Sequence, residues 1–583
     1  MKKLLLLTIM TVATTIAGAQ IIHVPGDYPT IQAGIDAAQF WSDTVLVAEG
    51  TYYENIDFNG KFITVASHFV IDGDTNHINN TIIDGSQPAN PNYGSVVYFH
   101  SGEDTNSVIC GFTITGGTGV YVPALNLYGG GGIGIENYSG AKIIHNHIEY
   151  NTIESSGSGG GGGIGAGDAS NNNYVVIRNN RVCNNSVIAN EISEGGGIFI
   201  LCNAIIKDNI VRNNTATAET ETAVGGGIRV VGFYTERYIE CSGNLIAHNE
   251  VYSSSMSFYG GAGGLSVFRC YGVVSNNRIM NNSVNGTLGA IGGAMHMTFC
   301  DSSLLLERNL IADNAANLDY TGVSRGGGIY LYESSVWLVN NMITRNYADE
   351  GAGIHIYKNK SGPLRVINNT IAFNEWSGMY LDEADAVVLN TILWNDGFEI
   401  FLDNANAEVA YSNVFGGWPG EGNINEEPCF DDDTCHLHCA NSPCIDGGTE
   451  DFVFSGIKYS APLFDFDGDA RPLDMGFDIG ADEALSCEGI AGNYVNDRPF
   501  SLSATPNPST GSPTVKYILR DKAAPILSVM STGGKQIQLV EIEKQDPGIH
   551  FCEPDLSHLP NGIYLLRLQA GEMVETTKVV LMK

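Results

Sequence analysis

Between residues 129 and 395 one short pattern is written nine times, and no other feature limits the fold as tightly. Each copy opens on a glycine cluster and an apolar residue: Ile133, Ile164, Ile198, Ile228, Leu265, Met295, Ile329, Ile354 and Met379. Each closes on two asparagines five residues apart: Asn146/Asn151, Asn180/Asn185, Asn209/Asn214, Asn244/Asn249, Asn277/Asn282, Asn309/Asn314, Asn341/Asn346, Asn369/Asn374 and Asn390/Asn395. The copies recur every 21 to 37 residues, a spacing that belongs to stacked repeat architectures.

After each glycine cluster the residues alternate, as in Ile329 and Leu331 or Ile354 and Ile356, which describes a short strand with one buried face. A second apolar strand precedes each asparagine pair, for example residues 364–367 and 387–389. A unit of strands and turns cannot bury its apolar face alone, so the copies must stack. The expected fold class is all-β: a right-handed parallel β-helix over residues 20–411. Nine coils and about four before them, at about 4.8 Å each, predict a solenoid on the order of 60 Å long.

On this reading the first asparagines, Asn146, Asn180, Asn209, Asn244, Asn277, Asn309, Asn341, Asn369 and Asn390, form a ladder. Each bonds to the one above and below and accepts unusual backbone angles. The glycines supply corners, some at positive φ. They are not phosphate loops, which need a Lys-Ser/Thr and a following helix.

The Gly-Gly-Gly-Ile and Ile-x-x-Asn pairing resembles the repeats of the polymorphic outer-membrane protein family. More broadly, residues 21–490 are similar to the pectin-lyase-like β-helix superfamily. The first resemblance implies adhesion or surface display. The second implies a fold shared by lyases, hydrolases and esterases of acidic polysaccharides and by non-enzymes. The run from Gly50 to Ile56 resembles the opening motif of pectin methylesterases, but the motifs carrying that family's catalytic aspartates are missing.

Residues 1–19 read as a secretory signal: Lys2 and Lys3, an apolar run from Leu4 to Ile16, then Ala17-Gly18-Ala19. No later segment is long and apolar enough to span a membrane in the mature chain. A net charge of −35 argues against nucleic acid as a partner and disfavours unaided binding of polyanionic glycans.

Stacking the copies places Arg229, Ser266, His296, Tyr330, His355 and Tyr380 in one outward column, with Thr298, Tyr332, Tyr357 and Asp382 in the next. An exposed aromatic stripe with polar groups suits sugar rings, and tyrosines that pack well on any strand surface account for it equally. Variable insertions, such as 215–224, 251–259 and 315–325, are expected as loops on one edge. For catalysis, His355 or His296 would serve as base, Tyr330 or Tyr357 as acid, and Arg229 or Lys358 as the cation neutralising a uronate. No catalytic motif set of pectate lyases or polygalacturonases is present. Three readings stand: a carbohydrate-binding or adhesive surface protein, a polysaccharide lyase or hydrolase, and a structural rod.

Residues 412–490 leave the repeat and read as a C-terminal cap. Asp465, Asp467 and Asp469 offer oxygen ligands to calcium, although the EF-hand pattern is incomplete and a capped turn explains them as well. No other cofactor is called for. Cys429, Cys435, Cys439 and Cys444 cluster with His436 and His438; two disulfides are expected in an exported chain, with zinc as the alternative. Cys110, Cys183, Cys202, Cys241, Cys270 and Cys300, spread along the coils, are expected to be small buried residues.

After a linker at 491–499, residues 500–583 alternate short strands with Gly, Pro and Asn turns, the signature of a small β-sandwich. The stretch closely resembles the C-terminal sorting domain of type IX secretion cargo, on Pro506-Asn507-Pro508, Gly511, Gly534-Lys535, and Gly562 with Tyr564. That resemblance implies the type IX secretion machinery as a partner and a place outside the cell or on the outer-membrane surface.

Overall fold

The computed structural model describes residues 19–484, apart from 40, 168–173, 256–259, 319–321, 432–433, 439–441 and 474, and residues 502–581 with breaks of one to three residues. The signal segment and the linker fall outside these. The chain divides into two compact units near residue 484.

The first unit is a parallel β-solenoid of three long sheets. The strands just before the first asparagine of each pair build a 14-stranded sheet running from Ile21–Val24 to Asn406–Ala410. Those between the two asparagines build a 13-stranded sheet, and those after the glycines a 12-stranded sheet from Ile56–Asp57 to Phe398–Asp403. The nine apolar residues that open the repeats are all fully buried in one continuous core. Each such burial is worth about 2 kcal/mol relative to exposure. A seven-residue helix, Ile31–Ala37, lies at the N-terminal end, with Thr30 accepting from the Ala33 amide at 3.2 Å.

The asparagines run as two buried ladders. Asn180 donates its backbone N–H and its Nδ2 to Asn209 Oδ1, at 2.9 and 3.1 Å, and the same Nδ2 reaches back to Ile143 O at 2.8 Å. The pattern repeats from Asn146 to Asn369. It settles the turn's polar groups without water, which burial demands. Two expectations are corrected here. The left-handed residue is the one before the ladder asparagine, such as His145, Asn179 and Asp208. The side chain that bonds along the stack is therefore not the one that absorbs the backbone turn.

Asn390 is also not a ladder member. Asn369 donates instead to Thr391 Oγ1 at 3.4 Å, and Thr391 donates its N–H to Ser412 Oγ at 3.0 Å. Asn390 takes the left-handed position, φ 49°, and bonds Thr449 of the cap. The last coil lacks the left-handed residue that precedes each second asparagine, so Asn395 keeps its place, accepting from Asn374, while the first ladder position falls on Thr391, one residue after Asn390.

The glycines serve two purposes. Gly161 has φ +72°, while a Cβ on Gly162 would run into the carbonyl oxygens of Gly196 in the next coil and Ser186.

Among the described residues the insertions carry strands rather than loops alone. They form two further stacks: a six-stranded parallel sheet from Thr152–Ser155 to Ala315–Leu318, and an eight-stranded sheet that includes Ser158–Gly160, Ser193–Glu194 and Ala290–Ile291. Alternating small residues such as Ala216, Ala218, Val251 and Val284 give them a core of their own.

The second unit holds two antiparallel sheets. One has three strands, Leu502–Thr505, Thr514–Leu519 and Gly548–Cys552; the other has four, Gln536–Glu541, Ile526–Ser531, Gly562–Ala570 and Met573–Leu581. Their inner faces share a core that includes Val515, Tyr517, Leu527, Leu566 and Val579. Tyr564 donates to Pro560 O at 2.9 Å, and Ser531 and Lys535 close a hairpin. Pro506, Asn507, Pro508, Gly511 and Gly534 lie outside the described residues.

Candidate functional site

Parallel register places Arg229, Ser266, His296, Tyr330, His355, Tyr380 and Phe401 in one row across the post-glycine sheet. Phe268, Thr298, Tyr332, Tyr357, Asp382 and Asp403 make the next row. The rings of the first row stack. Tyr330 and His355 have centroids 5.2 Å apart, His355 and Tyr380 4.8 Å, and Tyr380 and Phe401 4.7 Å, while His296 meets Tyr330 edge-on at 5.3 Å. Tyr332 and Tyr357 sit 5.6 Å apart in the neighbouring row.

This row is not an exposed stripe. His355 and Ser266 have no exposed surface, Tyr330 is 6% exposed, and His296 and Tyr380 are half-buried. The reason is the wall built by the insert strands, whose last residues before each glycine cluster, Ile291, Arg325 and Glu350, pair in register beside the row. Floor and wall enclose a groove of about 430 Å³ lined by Ile291, His296, Thr298, Arg325, Tyr330, Tyr332, His355, Tyr357 and Asp382.

The electrostatics follow from that enclosure. Arg325 Nε donates to Glu350 Oε2 at 2.7 Å, and His355 Nε2 lies 3.5 Å from the same oxygen. The His355 ring and the Arg325 guanidinium hold the Glu350 carboxyl below its usual value. Burial holds the His355 imidazole below its own, against the opposing pull of Glu350, and 3.5 Å is the outer limit of a hydrogen bond. His296 is pushed down to about 3 by burial and by Arg229; its Nε2 meets Thr298 Oγ1 at 2.8 Å. At the open end, burial and the Asp403 charge raise Asp382. Lys358 places its ammonium 4.6 Å from the Tyr357 ring centroid and 3.3 Å from Glu383.

Of the sequence-derived site, His296, Tyr330, Tyr332, His355, Tyr357 and Asp382 line the groove, and Tyr380 stacks on its floor. Arg229 does not line it: its Nη1 donates to Ser266 Oγ at 2.6 Å and its Nε to Glu194 at 3.2 Å. Arg325, Glu350, Ile291, Phe401 and Asp403 escaped sequence reasoning. The first three each stand one residue before a glycine cluster, which was the available signal. Phe401 and Asp403 lie in a strand with no such cluster, so the repeat does not mark it.

The cap residues divide differently from expectation. Both Asp465 oxygens are spent on backbone amides: Oδ1 accepts from Gly468 and Asp469 at 2.8 and 2.7 Å, and Oδ2 from Glu483 at 3.0 Å. Asp469 is exposed, and Asp467 turns to His436, its Oδ2 lying 3.0 Å from Nε2. The three aspartates therefore do not share one cation. Cys429, Cys435 and Cys444 stand as free thiols with no bridge among these three; Cys439 lies outside the described residues. Cys435 packs on Thr344, and Cys444 receives a bond from Asn413 Nδ2 at 3.2 Å, so each thiol is held at a different place in the solenoid. The six coil cysteines are all buried.

Residues 231–392 match the family of the right-handed β-helix region, and residues 503–582 match the secretion system C-terminal sorting domain. The chain is a right-handed parallel β-helix protein. It carries a type IX secretion sorting domain at its C-terminus. Among solved structures it is similar to the A-module of the mannuronan C-5 epimerase AlgE6 of Azotobacter vinelandii, at 15% identity and a TM-score of 0.33. That match covers 68% of this chain and 94% of the other. It is also similar to the full-length tailspike protein 2 of the Escherichia coli O157:H7 bacteriophage CAB120, at 11% identity and a TM-score of 0.22, covering 97% and 68% of the respective chains. No curated protein matches the chain. Among the described residues no helix is long and apolar enough to cross a membrane.

Proposed function

We propose that the groove binds one chain of an extracellular polysaccharide after export through the type IX route. The observation that carries this reading is the run of rings in and beside the groove. Tyr332, Tyr357 and Tyr380 are half-buried and Phe401 is 39% exposed, so each keeps a face or edge for a ligand while its position is fixed by stacking. Sugar rings stack on aromatic faces, and the coil rise of about 4.8 Å repeats such faces at roughly the length of one sugar unit. Thr298, Arg325 and Asp382 supply polar groups among the rings that line the cleft, and the Lys358 ammonium stands beside Tyr357.

The test is a glycan-array and depolymerisation screen on the exported protein with Tyr357→Ala and Phe401→Ala variants. Binding without turnover, weakened at least about tenfold by either substitution, is the expected result. A chain that binds no glycan, or variants that bind as well as the parent, would overturn the reading.

Hydrolysis is the second reading, favoured by one pair. Asp382 and Asp403 face each other in register on adjacent strands, and burial, then the Asp403 charge, raises the Asp382 carboxyl above its usual value. New reducing ends, lost in Asp382→Asn, would move the assignment to an enzyme.

A further inference from the structure

The cap holds a cluster that the groove does not use. His436 lies in the stretch after the solenoid, and Asp467 and Asp482 lie on a later segment that folds back over it. One ligand atom from each comes within 4.8 Å of the other two. His436 Nε2 is 3.0 Å from Asp467 Oδ2. The other ring nitrogen, Nδ1, is 2.9 Å from Thr434 Oγ1, which fixes the ring so that Nε2 faces the carboxylates. Asp482 is 8% exposed. Leu437 N–H binds its Oδ2 at 2.7 Å, and among the described residues no other hydrogen bond reaches this carboxylate. The other oxygen of Asp482 keeps its lone pairs beside a second carboxylate and the imidazole Nε2, a convergence that a cation would share.

We propose that His436, Asp467 and Asp482 form a divalent transition-metal site of the zinc class, which fastens the two cap segments together. One imidazole and two carboxylates are a nitrogen–oxygen donor set. The imidazole favours zinc and its first-row neighbours over calcium, whose ligands are all oxygen. Three protein ligands leave a fourth position for water on the exposed side, where Asp467 keeps 53% of its side-chain surface. The site's position gives it a structural consequence. Cys435 lies against Thr344, and Ala481 N–H donates to Thr370 Oγ1 at 3.0 Å, so the joined segments both rest on the inter-asparagine sheet. A bound ion would thus tie the cap to the last coils.

The experiment uses the full chain, stripped with chelator and titrated with zinc, then with cobalt, beside His436→Gln and Asp467→Asn. Asp467 is exposed, so its variant keeps the fold. One zinc per chain is expected, with affinity reduced at least tenfold in both variants. The cobalt form should lack a thiolate charge-transfer band. Zinc should raise the thermal midpoint of the parent and leave that of His436→Gln unmoved. Absence of stoichiometric zinc, unchanged affinity in the two variants, or a thiolate band that assigns the metal to the neighbouring cysteines would each overturn the proposal.

Discussion

His355 and Tyr380 lie face to face on adjacent strands, ring centroids 4.8 Å apart and planes within 9°, with the histidine wholly buried and the tyrosine at the groove's opening. Neither ring nitrogen of His355 makes a hydrogen bond of good geometry. The ring therefore acts in packing as an aromatic slab. His355→Phe should keep stability within about 1 kcal/mol, because it preserves shape and gives up only the long 3.5 Å contact to Glu350, which Arg325 still holds. Denaturant unfolding checks the stability. If glycan binding falls while stability holds, the imidazole acts on the ligand through Glu350 and Arg325 rather than only supporting Tyr380.

The ladder predicts a much larger cost at a single amide. Asn277 Oδ1 accepts from Asn244 N and Nδ2 at 3.0 and 2.9 Å, and its own Nδ2 donates to Cys241 O and Asn309 Oδ1 at 2.8 and 2.9 Å. Asn277→Ala leaves a buried N–H and a buried carbonyl unpaired, and should cost roughly 3 kcal/mol in denaturant titration. Asn277→Asp keeps the acceptor and loses both donors while placing a carboxylate in a buried site, so it should be no better.

Gly162 tests the close approach of coils. Alanine there must push against the carbonyls of Gly196 and Ser186, both backbone, so the stack cannot yield by rotating a side chain. Gly162→Ala should destabilise by about 2 kcal/mol or more, read as a lowered unfolding midpoint.

Stability of the solenoid should fall as pH rises through the neutral range. Burial pushes the Glu136 carboxyl up to about 7, with Tyr98 donating to it at 3.1 Å. The unfolded chain releases this proton near the ordinary glutamate value, whereas the folded chain holds it until about 7. The contribution is therefore complete below the ordinary value and is lost as pH climbs to about 7. Glu399, bound by Asn395, behaves alike, also pushed to about 7 by burial. Glu136→Gln, which still accepts from Tyr98, should flatten the profile by on the order of 2 kcal/mol between about pH 5 and about pH 8. A parent whose unfolding midpoint is level across that range would contradict this.

The sorting domain predicts a location. Removing residues 503–582, the stretch matched to the secretion system domain, should leave the solenoid inside the outer membrane, with its own core intact. Cell fractionation reads the outcome, and unchanged surface or medium levels of the truncated chain would oppose it.

Much of this molecule was legible because a stacked repeat converts sequence period directly into space. The residue after each glycine cluster is in the core, and aligning the copies gives the same row that the strand register shows from Arg229 to Tyr380. Strands pair with the next copy of themselves, so knowledge of local pattern is nearly knowledge of contacts. The sorting tail was equally readable, since its turns and strands are local.

What tertiary structure alone decided lies where the repeat is silent. Insertions of unequal length carry no shared period, yet in space they stack into two sheets and bring Ile291, Arg325 and Glu350 over a row that the sequence leaves open. That wall turns a surface stripe into a groove and buries the His355 ring, which lowers its imidazole from the usual value. One missing left-handed residue in the last coil moves the ladder from Asn390 to Thr391, although the two asparagines keep their spacing of five. In the cap, Asp465, Asp467 and Asp469 look alike in sequence. They part company because a turn claims one carboxylate for backbone amides and sends another toward His436, a partner about thirty residues earlier in the chain. Sequence states which groups are present, and the long-range fold decides which of them are already satisfied.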